Sequence, residues 1–328
     1  MKAIVFFALA SLALADTQPD VKNAQLETRA LSGSLESAMR ASEPTWFGYA
    51  IATVQRNGNE SCNCRLEDTN WSETKQVKLE GSREGFLLYR VVNNQVEKIR
   101  LTAPGCSLDA GGRRFVWLSG VSANASLDYL EKLAASDHAK DLADRGIFAI
   151  AQHDSPRADD LLQKFAQSGS SMHVREQAVF WMGASRGARG AQMLKDILAR
   201  DSDDKIREKA VFALSINPQP DSMNFLIETA EHDASSHVRG QALFWLAQKA
   251  GKRAASTIEN AIANDPDRAV KRQAVFALSQ LPKDQSVPKL IEVAQKQQDP
   301  EVRKQAFFWL GQSNDPRALA FFKQILKQ

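Results

Sequence analysis

The apolar positions in the C-terminal part of the chain recur at a fixed interval. Within one copy, Val174, Ala178, Trp181 and Met182 follow the i, i+4, i+7, i+8 spacing of a helix that buries one face. Equivalent segments begin at Val174, Ile206, Val238, Val270 and Val302, and a divergent sixth copy begins at Leu142. A constant period of about 32 residues indicates a repeat architecture.

Each copy contains a second apolar segment in the same register. These segments are marked by Leu162, Leu194, Leu226, Ile258, Leu290 and Phe322. Prolines and glycines separate the two segments of a copy, and Asp-rich turns that can cap a helix precede the next copy. Because one helix pair cannot bury its own apolar faces, we predict an all-α solenoid of six stacked two-helix repeats over residues 126–328.

The N-terminal third follows a different pattern. From Trp46 to about Ser122 the apolar residues alternate with a period of two, which predicts strands at residues 46–54, 76–79, 86–92, 96–101 and 113–118. Asn93-Asn94 is typical of a two-residue hairpin turn. Leu31, Leu35 and Met39 are spaced for a leading helix within residues 21–40. Residues 16–125 are therefore predicted to form a leading helix plus a small β-rich domain.

The start of the chain, residues 1–15, resembles a secretion signal. Lys2 precedes an apolar run that ends in the small-residue triplet Ala13-Leu14-Ala15. The run is too short to span a bilayer, and no later stretch approaches the roughly 18 continuous apolar residues of a membrane helix. We predict that residues 1–15 are a cleaved signal peptide, that the protein is exported to the periplasm or secreted, and that it does not insert into a membrane.

Three cysteines occur, and all lie in the N-terminal part of the chain: Cys62, Cys64 and Cys106. In an oxidising compartment these residues predict a disulfide between Cys106 and either Cys62 or Cys64. A metal site is the alternative, but it lacks a fourth ligand at a familiar spacing. We therefore predict no metal.

The repeated motif carries a resemblance to a known family. The copy at Val302 reads Val-Arg-Lys-Gln-Ala-Phe-Phe-Trp-Leu-Gly after an Asp-Pro turn. It resembles the HEAT repeat, and in particular the short HEAT-like repeats of the bilin-lyase type. The layout as a whole is similar to that of exported bacterial HEAT-repeat proteins with an N-terminal cysteine-containing β region. The resemblance implies an αα-superhelix, but it does not fix the function, because this scaffold serves many partners.

A basic residue follows the first aliphatic residue of five copies. These residues are Arg175, Arg207, Arg239, Lys271 and Arg303. In HEAT-like repeats such a residue commonly pairs with an acidic turn, so the resemblance implies a structural ladder. A cationic stripe for an acidic ligand is the alternative, although acidic residues recur beside these positions.

Phenylalanine occupies one further position in all six copies. The row consists of Phe148, Phe180, Phe212, Phe244, Phe276 and Phe308. At about 100° per residue, this position lies roughly opposite the buried stripe, so the row is either a solvent-exposed ridge that binds a partner or packed between neighbouring helices. The next position alternates strictly between Ala and Trp, as in Trp181 and Ala213. This alternation indicates a two-repeat unit with large-against-small packing, or a row of stacking platforms.

Known catalytic patterns are missing from the sequence. The five histidines do not follow a metal-ligand spacing, and neither a nucleophile elbow nor a phosphate-binding glycine loop occurs. A formal net charge of +3 gives no support to nucleic-acid binding. We predict a non-enzymatic extracytoplasmic scaffold without a cofactor that binds a protein or peptide through the repeat superhelix. The alternatives are a lyase-like or cofactor-processing accessory factor and a sensor or regulator in envelope signalling.

Overall fold

The computed structural model describes residues 18–57, 63–68, 82–135 and 140–327. The chain divides into two compact units, one ending at Ala158 and one beginning at Asp159. The first unit thus extends beyond the β-rich region, which we predicted to end at residue 125.

Two sheets form the β-rich region of the first unit. Its strands are β1 (Val21–Lys22), β2 (Gln25–Ala30), β3 (Thr45–Asn57), β4 (Asn63–Arg65), β5 (Ser82–Val92), β6 (Gln95–Thr102), β7 (Ser107–Asp109) and β8 (Arg114–Ser119). A five-stranded sheet has the order β2-β8-β3-β5-β6, and a three-stranded sheet has the order β1-β7-β4. Strands β3, β5 and β6 are antiparallel, whereas β8 is parallel to both β2 and β3.

The β5–β6 hairpin turns at Asn93 and Asn94, as the sequence predicts. Both residues have positive φ, at 51° and 62°. A tight two-residue hairpin needs this conformation, and asparagine tolerates it better than most residues. Four of the five predicted strands correspond to β3, β5, β6 and β8. The strand predicted at residues 76–79 lies outside the described residues.

The leading helix predicted over residues 21–40 is wrong for most of its length. Only α1 (Leu35–Ala38) is helical, and β2 pairs with β8 in parallel register. Leu35 begins α1 and Met39 is its C-cap residue, and both side chains are buried. Their i+4 spacing therefore comes from one helical turn and not from a long helix. The segment before it forms a strand because its backbone groups pair with β8, a long-range interaction that overrides a weak local preference.

Large aromatic side chains fill the core between the two sheets. Trp46, Phe86, Phe115 and Trp117 are all at most 1% exposed. The rings of Phe86 and Trp117 meet edge to face with centroids 4.8 Å apart. Cys64, in β4, and Cys106 belong to the same buried cluster.

The rest of the described chain is mostly helical. After α2 (Ala123–Ala134), six pairs follow: α3 (Lys140–Gln152) with α4 (Pro156–Ala166), α5 (Met172–Ser185) with α6 (Gly187–Arg200), α7 (Asp204–Ile216) with α8 (Pro220–His232), α9 (Ser236–Ala250) with α10 (Ala255–Asn264), α11 (Arg268–Ser279) with α12 (Lys283–Lys296), and α13 (Pro300–Gln312) with α14 (Pro316–Ile325). The predicted fold class, a small β-rich region followed by two-helix repeats, is confirmed. Among the described helices, none is both long and apolar enough to cross a membrane.

The helices of the second unit lie in two layers. The first helices of successive repeats, from α5 to α13, pack directly on one another, and the second helices form the other layer. Helices α5 and α7 approach each other closely at Gly183, which has no Cβ atom. A Cβ atom added there would lie only 2.3 Å from the carbonyl oxygen of Ala213. Aspartates cap several helices, as when Asp267 accepts the backbone N–H of Ala269 at 2.7 Å.

Candidate functional site

The phenylalanine row lies on the first helix of each repeat. Phe148, on α3, belongs to the first unit and is partly exposed. In the second unit Phe180, Phe212, Phe244 and Phe276 are also partly exposed, and Phe308 is 52% exposed. The row is therefore neither fully buried nor fully in solvent.

In the second unit these phenylalanines are joined to tryptophans in a continuous series of ring contacts. Phe180 and Phe212 stack with centroids 6.2 Å apart, and Trp245 lies 5.0 Å from both Phe212 and Phe244. Phe244 stacks on Phe276 at 5.8 Å in turn. We call the whole series the aromatic ridge, whose members are Phe180, Trp181, Phe212, Phe244, Trp245, Phe276, Phe308 and Trp309.

The alternation of Ala and Trp accounts for the geometry of the aromatic ridge. Ala213 and Ala277 are fully buried, and next to them two phenylalanines of adjacent repeats come face to face. Where the position holds Trp245, the indole lies between the phenylalanines instead. In each stacked pair, one face of each phenylalanine ring is therefore covered by the other ring.

The row of basic residues is engaged within the protein. Three of its members each contact an aspartate in a later acidic turn, at 2.6, 3.0 and 2.8 Å, and their side chains are 7 to 9% exposed. The pairs are Arg175 with Asp201, Arg207 with Asp233, and Arg239 with Asp265. The hydrogen bond to Asp233 raises the pKa of Arg207. Buried and paired in this way, the three guanidinium groups tie one repeat to the next.

The ladder changes in the last two repeats. Where the next aspartate of the ladder would follow Lys271, the chain has Gln297, which cannot form an ion pair. Lys271 instead donates to the carbonyl of Ala263 at 2.9 Å. Arg303 donates to the carbonyl oxygen of Gln297 at 2.8 Å. Arg268 takes over the contact between these repeats, with its Nε 2.6 Å from Asp299.

The cysteines lie in the first unit. Cys106 is disulfide-bonded. Cys64 is a buried residue whose Sγ lies 3.9 Å from the hydroxyl of Thr102. Cys62 lies outside the described residues, so the identity of the cysteine that pairs with Cys106 stays a prediction.

A buried polar network in the first unit has no recognisable signal in the sequence. His153 is 1% exposed, with Nδ1 2.7 Å from the carbonyl of Ala149 and Nε2 2.9 Å from Oγ of Ser126. Because a carbonyl only accepts, Nδ1 carries the proton and Nε2 accepts from Ser126. The Ser126 hydroxyl then accepts from Tyr49, which accepts from Tyr89, each at 2.8 Å.

This serine–histidine pair is not placed for catalysis. Ser126, Tyr49 and Tyr89 are all 0% exposed, so no substrate can reach the hydroxyl. Burial raises the pKa of both tyrosines above its usual value, which keeps them protonated as donors. Across the described ranges, no group of three or more His, Cys, Asp or Glu side chains is arranged to hold a metal ion.

Several solved structures match the chain at low similarity. Human deoxyhypusine hydroxylase, in complex with glycerol, is 17% identical, with 60% of this chain and 88% of that chain covered and a TM-score of 0.30. The CpcE and CpcF complex of phycocyanin lyase from Nostoc is 16% identical, with coverages of 64% and 89% and a TM-score of 0.34. AlkD2 from Streptococcus mutans is 17% identical, with coverages of 57% and 97% and a TM-score of 0.39.

The sequence itself identifies the family. No curated protein sequence matches the chain. The family model of HEAT repeats matches residues 127–215, 223–308 and 255–328. These matches cover more than half of the chain and coincide with the helix pairs described above. The chain belongs to the HEAT-repeat family.

Proposed function

We propose that the protein is a non-enzymatic, extracytoplasmic scaffold that binds a protein or peptide through the aromatic ridge of its HEAT repeats. The observation that carries this proposal is the continuity of the ridge, in which neighbouring rings from Trp181 to Phe308 lie 4.9 to 6.2 Å apart. Soluble proteins rarely keep a large apolar patch in contact with water without a partner for it. Aromatic side chains also dominate the energetics of many protein interfaces.

The alternative surface, a cationic stripe, has weaker support. The guanidinium groups of Arg175, Arg207 and Arg239 are buried in pairs with aspartates, so they are not available to an acidic ligand. Within the described residues, no side-chain arrangement specifically favours the lyase-like or the signalling alternative. The aromatic ridge is therefore the surface to test first.

Export is supported by two features. Residues 1–15 have the composition of a signal peptide, and Cys106 is disulfide-bonded, a state that persists in oxidising compartments. Cell fractionation of the natural host tests this part of the proposal. We expect a chain without residues 1–15 outside the cytoplasm, and an uncleaved chain confined to the cytoplasm would overturn it.

A peptide selection tests the ridge. Random peptides displayed on phage are selected on the immobilised full chain and then measured against Phe212→Glu/Phe276→Glu. We expect the double variant to lose binding, because each glutamate places a charge within the apolar surface. Phe225→Glu is the matched control, since Phe225 is also partly exposed but lies on α8 in the other layer.

Circular dichroism and thermal unfolding establish that the variants are folded. Equal binding of every selected peptide by the wild type and the folded double variant would exclude the ridge as the binding surface.

A further inference from the structure

A row of glutamines borders the aromatic ridge. We call it the amide row, and its members are Gln177, Gln241, Gln273 and Gln305. Each glutamine precedes a phenylalanine of the ridge at i+3, a spacing that puts both side chains on one face of the helix. All four are partly exposed. The repeat that contains Phe212 has Lys209 at this position instead.

The four amides have no partner within the described part of the chain. Other side-chain amides of the repeats do bond internally. The amide nitrogen of Gln297 donates to the carbonyl of Ile262 at 2.8 Å, and that of Asn217 donates to Gly187 at 2.9 Å. A primary amide offers two donors and an acceptor, so the amide row presents unused hydrogen-bonding groups beside an apolar surface.

The stem of Gln273 is held in place. A Cβ atom on Gly240 of the preceding repeat would lie 3.2 Å from Cγ of Gln273, so the aliphatic part of this side chain packs on α9. A held stem reduces the rotamer entropy that the amide would lose on binding.

An apolar ridge bordered by unpaired amides suits a ligand in extended conformation better than a helical ligand. An extended segment has main-chain N–H and C=O groups that need partners, whereas a helix pairs these groups internally. Packed helices lie about 8 to 10 Å apart, and about three residues of extended chain cover about 10 Å. Each glutamine would therefore meet the main chain at intervals of roughly three residues per repeat, with a gap at Lys209, while apolar side chains contact the aromatic rings.

Charges along the ridge differ between its two ends. The residues one turn before the phenylalanines are Glu176, Glu208, Gly240, Arg272 and Lys304. Glu176 lies 3.9 Å from Lys209, and Glu208 lies 3.4 Å from His237. Arg272 and Lys304 are exposed, and neither forms an ion pair with any described residue. The end of the ridge at α11 and α13 is therefore open to an acidic group.

We propose that the aromatic ridge binds an extended, apolar polypeptide segment whose main chain bonds to the amide row and whose acidic end lies over Arg272 and Lys304. This inference rests on the proposed function, since it names the partner of the same surface. The two basic residues fix the direction in which the segment lies along the repeats.

The test uses a peptide of about 12 residues, selected from a random library on the wild-type full chain. This length covers the four intervals between the five first helices from α5 to α13. The affinity of the peptide is measured by fluorescence anisotropy. Gln241→Met/Gln273→Met should weaken binding about tenfold, because two amide hydrogen bonds are lost. Gln295→Met/Gln324→Met is the matched control on the second helices and should leave the affinity unchanged.

Two further measurements test whether the peptide main chain forms hydrogen bonds and in which direction the peptide lies along the repeats. N-methylation of alternate peptide bonds removes N–H donors and should weaken binding by about the same factor. Arg272→Gln/Lys304→Gln should weaken binding of peptides with an acidic end by about fivefold and should reduce the salt dependence.

The outcomes separate the two proposals. If no selected peptide distinguishes the wild type from Phe212→Glu/Phe276→Glu, the proposed function fails, and this inference fails with it. If ridge-dependent peptides bind but neither N-methylation nor the glutamine changes alter their affinity, the function stands and the extended main-chain ligand is ruled out.

Discussion

Oγ of Ser126, in α2, lies 2.9 Å from Nε2 of His153, which directly follows α3. Through Tyr49 and Tyr89, this hydrogen bond continues into strands β3 and β5. The fully buried series connects the five-stranded sheet to helices α2 and α3 of the first unit. Buried polar groups of this kind stabilise a fold only while every member has its partner.

We expect His153→Phe to destabilise the first unit by about 1 to 3 kcal/mol, because the buried hydroxyl of Ser126 would lose its acceptor. Urea unfolding monitored by tryptophan fluorescence measures the change. Ser126→Ala/His153→Phe should cost less than the sum of the two single changes, because the pair interacts. His232→Phe is the control, with a side chain that is 74% exposed. An equal effect at both histidines would contradict a role for the network.

The ion pair between Arg239 and Asp265 allows a prediction about the second unit. Their side chains are only 9% and 6% exposed. We expect Arg239→Met to cost about 3 kcal/mol, because it leaves a buried carboxylate without its counter-charge. Arg268→Met breaks a contact of similar length, but Arg268 is 64% exposed, so its loss should cost less than about 1 kcal/mol. Urea unfolding of both variants makes the comparison, and equal losses would contradict the explanation from burial.

Two glycines at the same repeat position should respond in opposite ways to alanine. Gly183→Ala would place a Cβ atom 2.3 Å from the carbonyl oxygen of Ala213, and we expect a loss of about 1 to 3 kcal/mol as α5 and α7 move apart. At Gly311 nothing lies within 4 Å of the added atom. Gly311→Ala should therefore stabilise the chain by up to about 1 kcal/mol through helix propensity. Thermal unfolding measures whether each change raises or lowers the stability. A loss of stability in Gly311→Ala would contradict the explanation from the space around each glycine.

Asp315 predicts a pH dependence. Its hydrogen bonds with the Arg317 side chain and backbone lower its pKa from 3.8 to about 2. A carboxylate with a lowered pKa in the folded state contributes stability that is complete above pH 3.8 and is lost as the pH falls towards 2. We expect Asp315→Asn to lower the urea midpoint at neutral pH and the difference from wild type to shrink over that window. If the stability difference between wild type and Asp315→Asn stayed constant as the pH falls from 3.8 towards 2, the effect would come from helix capping and not from the charge of Asp315.

The repeats were predictable from the sequence because their signal is local. Ala178 and Met182 lie on one buried face within a few turns of helix, and the same apolar spacing recurs at equivalent positions of the following repeats. The strand at residues 25–30 was not predictable in this way, since its partner β8 lies far along the chain. The network around His153 likewise joins residues whose proximity depends on the tertiary fold.

The sequence does not determine the exposure of the phenylalanine row, for a physical reason. The helical spacing places Phe180 roughly opposite the buried stripe, but its ring stacks on Phe212 of the next repeat, and this packing decides how much of the ring meets solvent. The amide row is also visible in the sequence, but only the structure indicates that its members lack internal partners within the described residues.

The alternation of Ala and Trp sets a rule for changing the length of this protein. Deleting residues 206–237 would bring the repeat of Trp181 against that of Trp245, so that two indoles would compete for one space. Deleting residues 206–269 would instead bring Trp181 beside the repeat of Ala277 and keep the alternation intact. Internal deletions or insertions that preserve packing should therefore remove or add an even number of repeats.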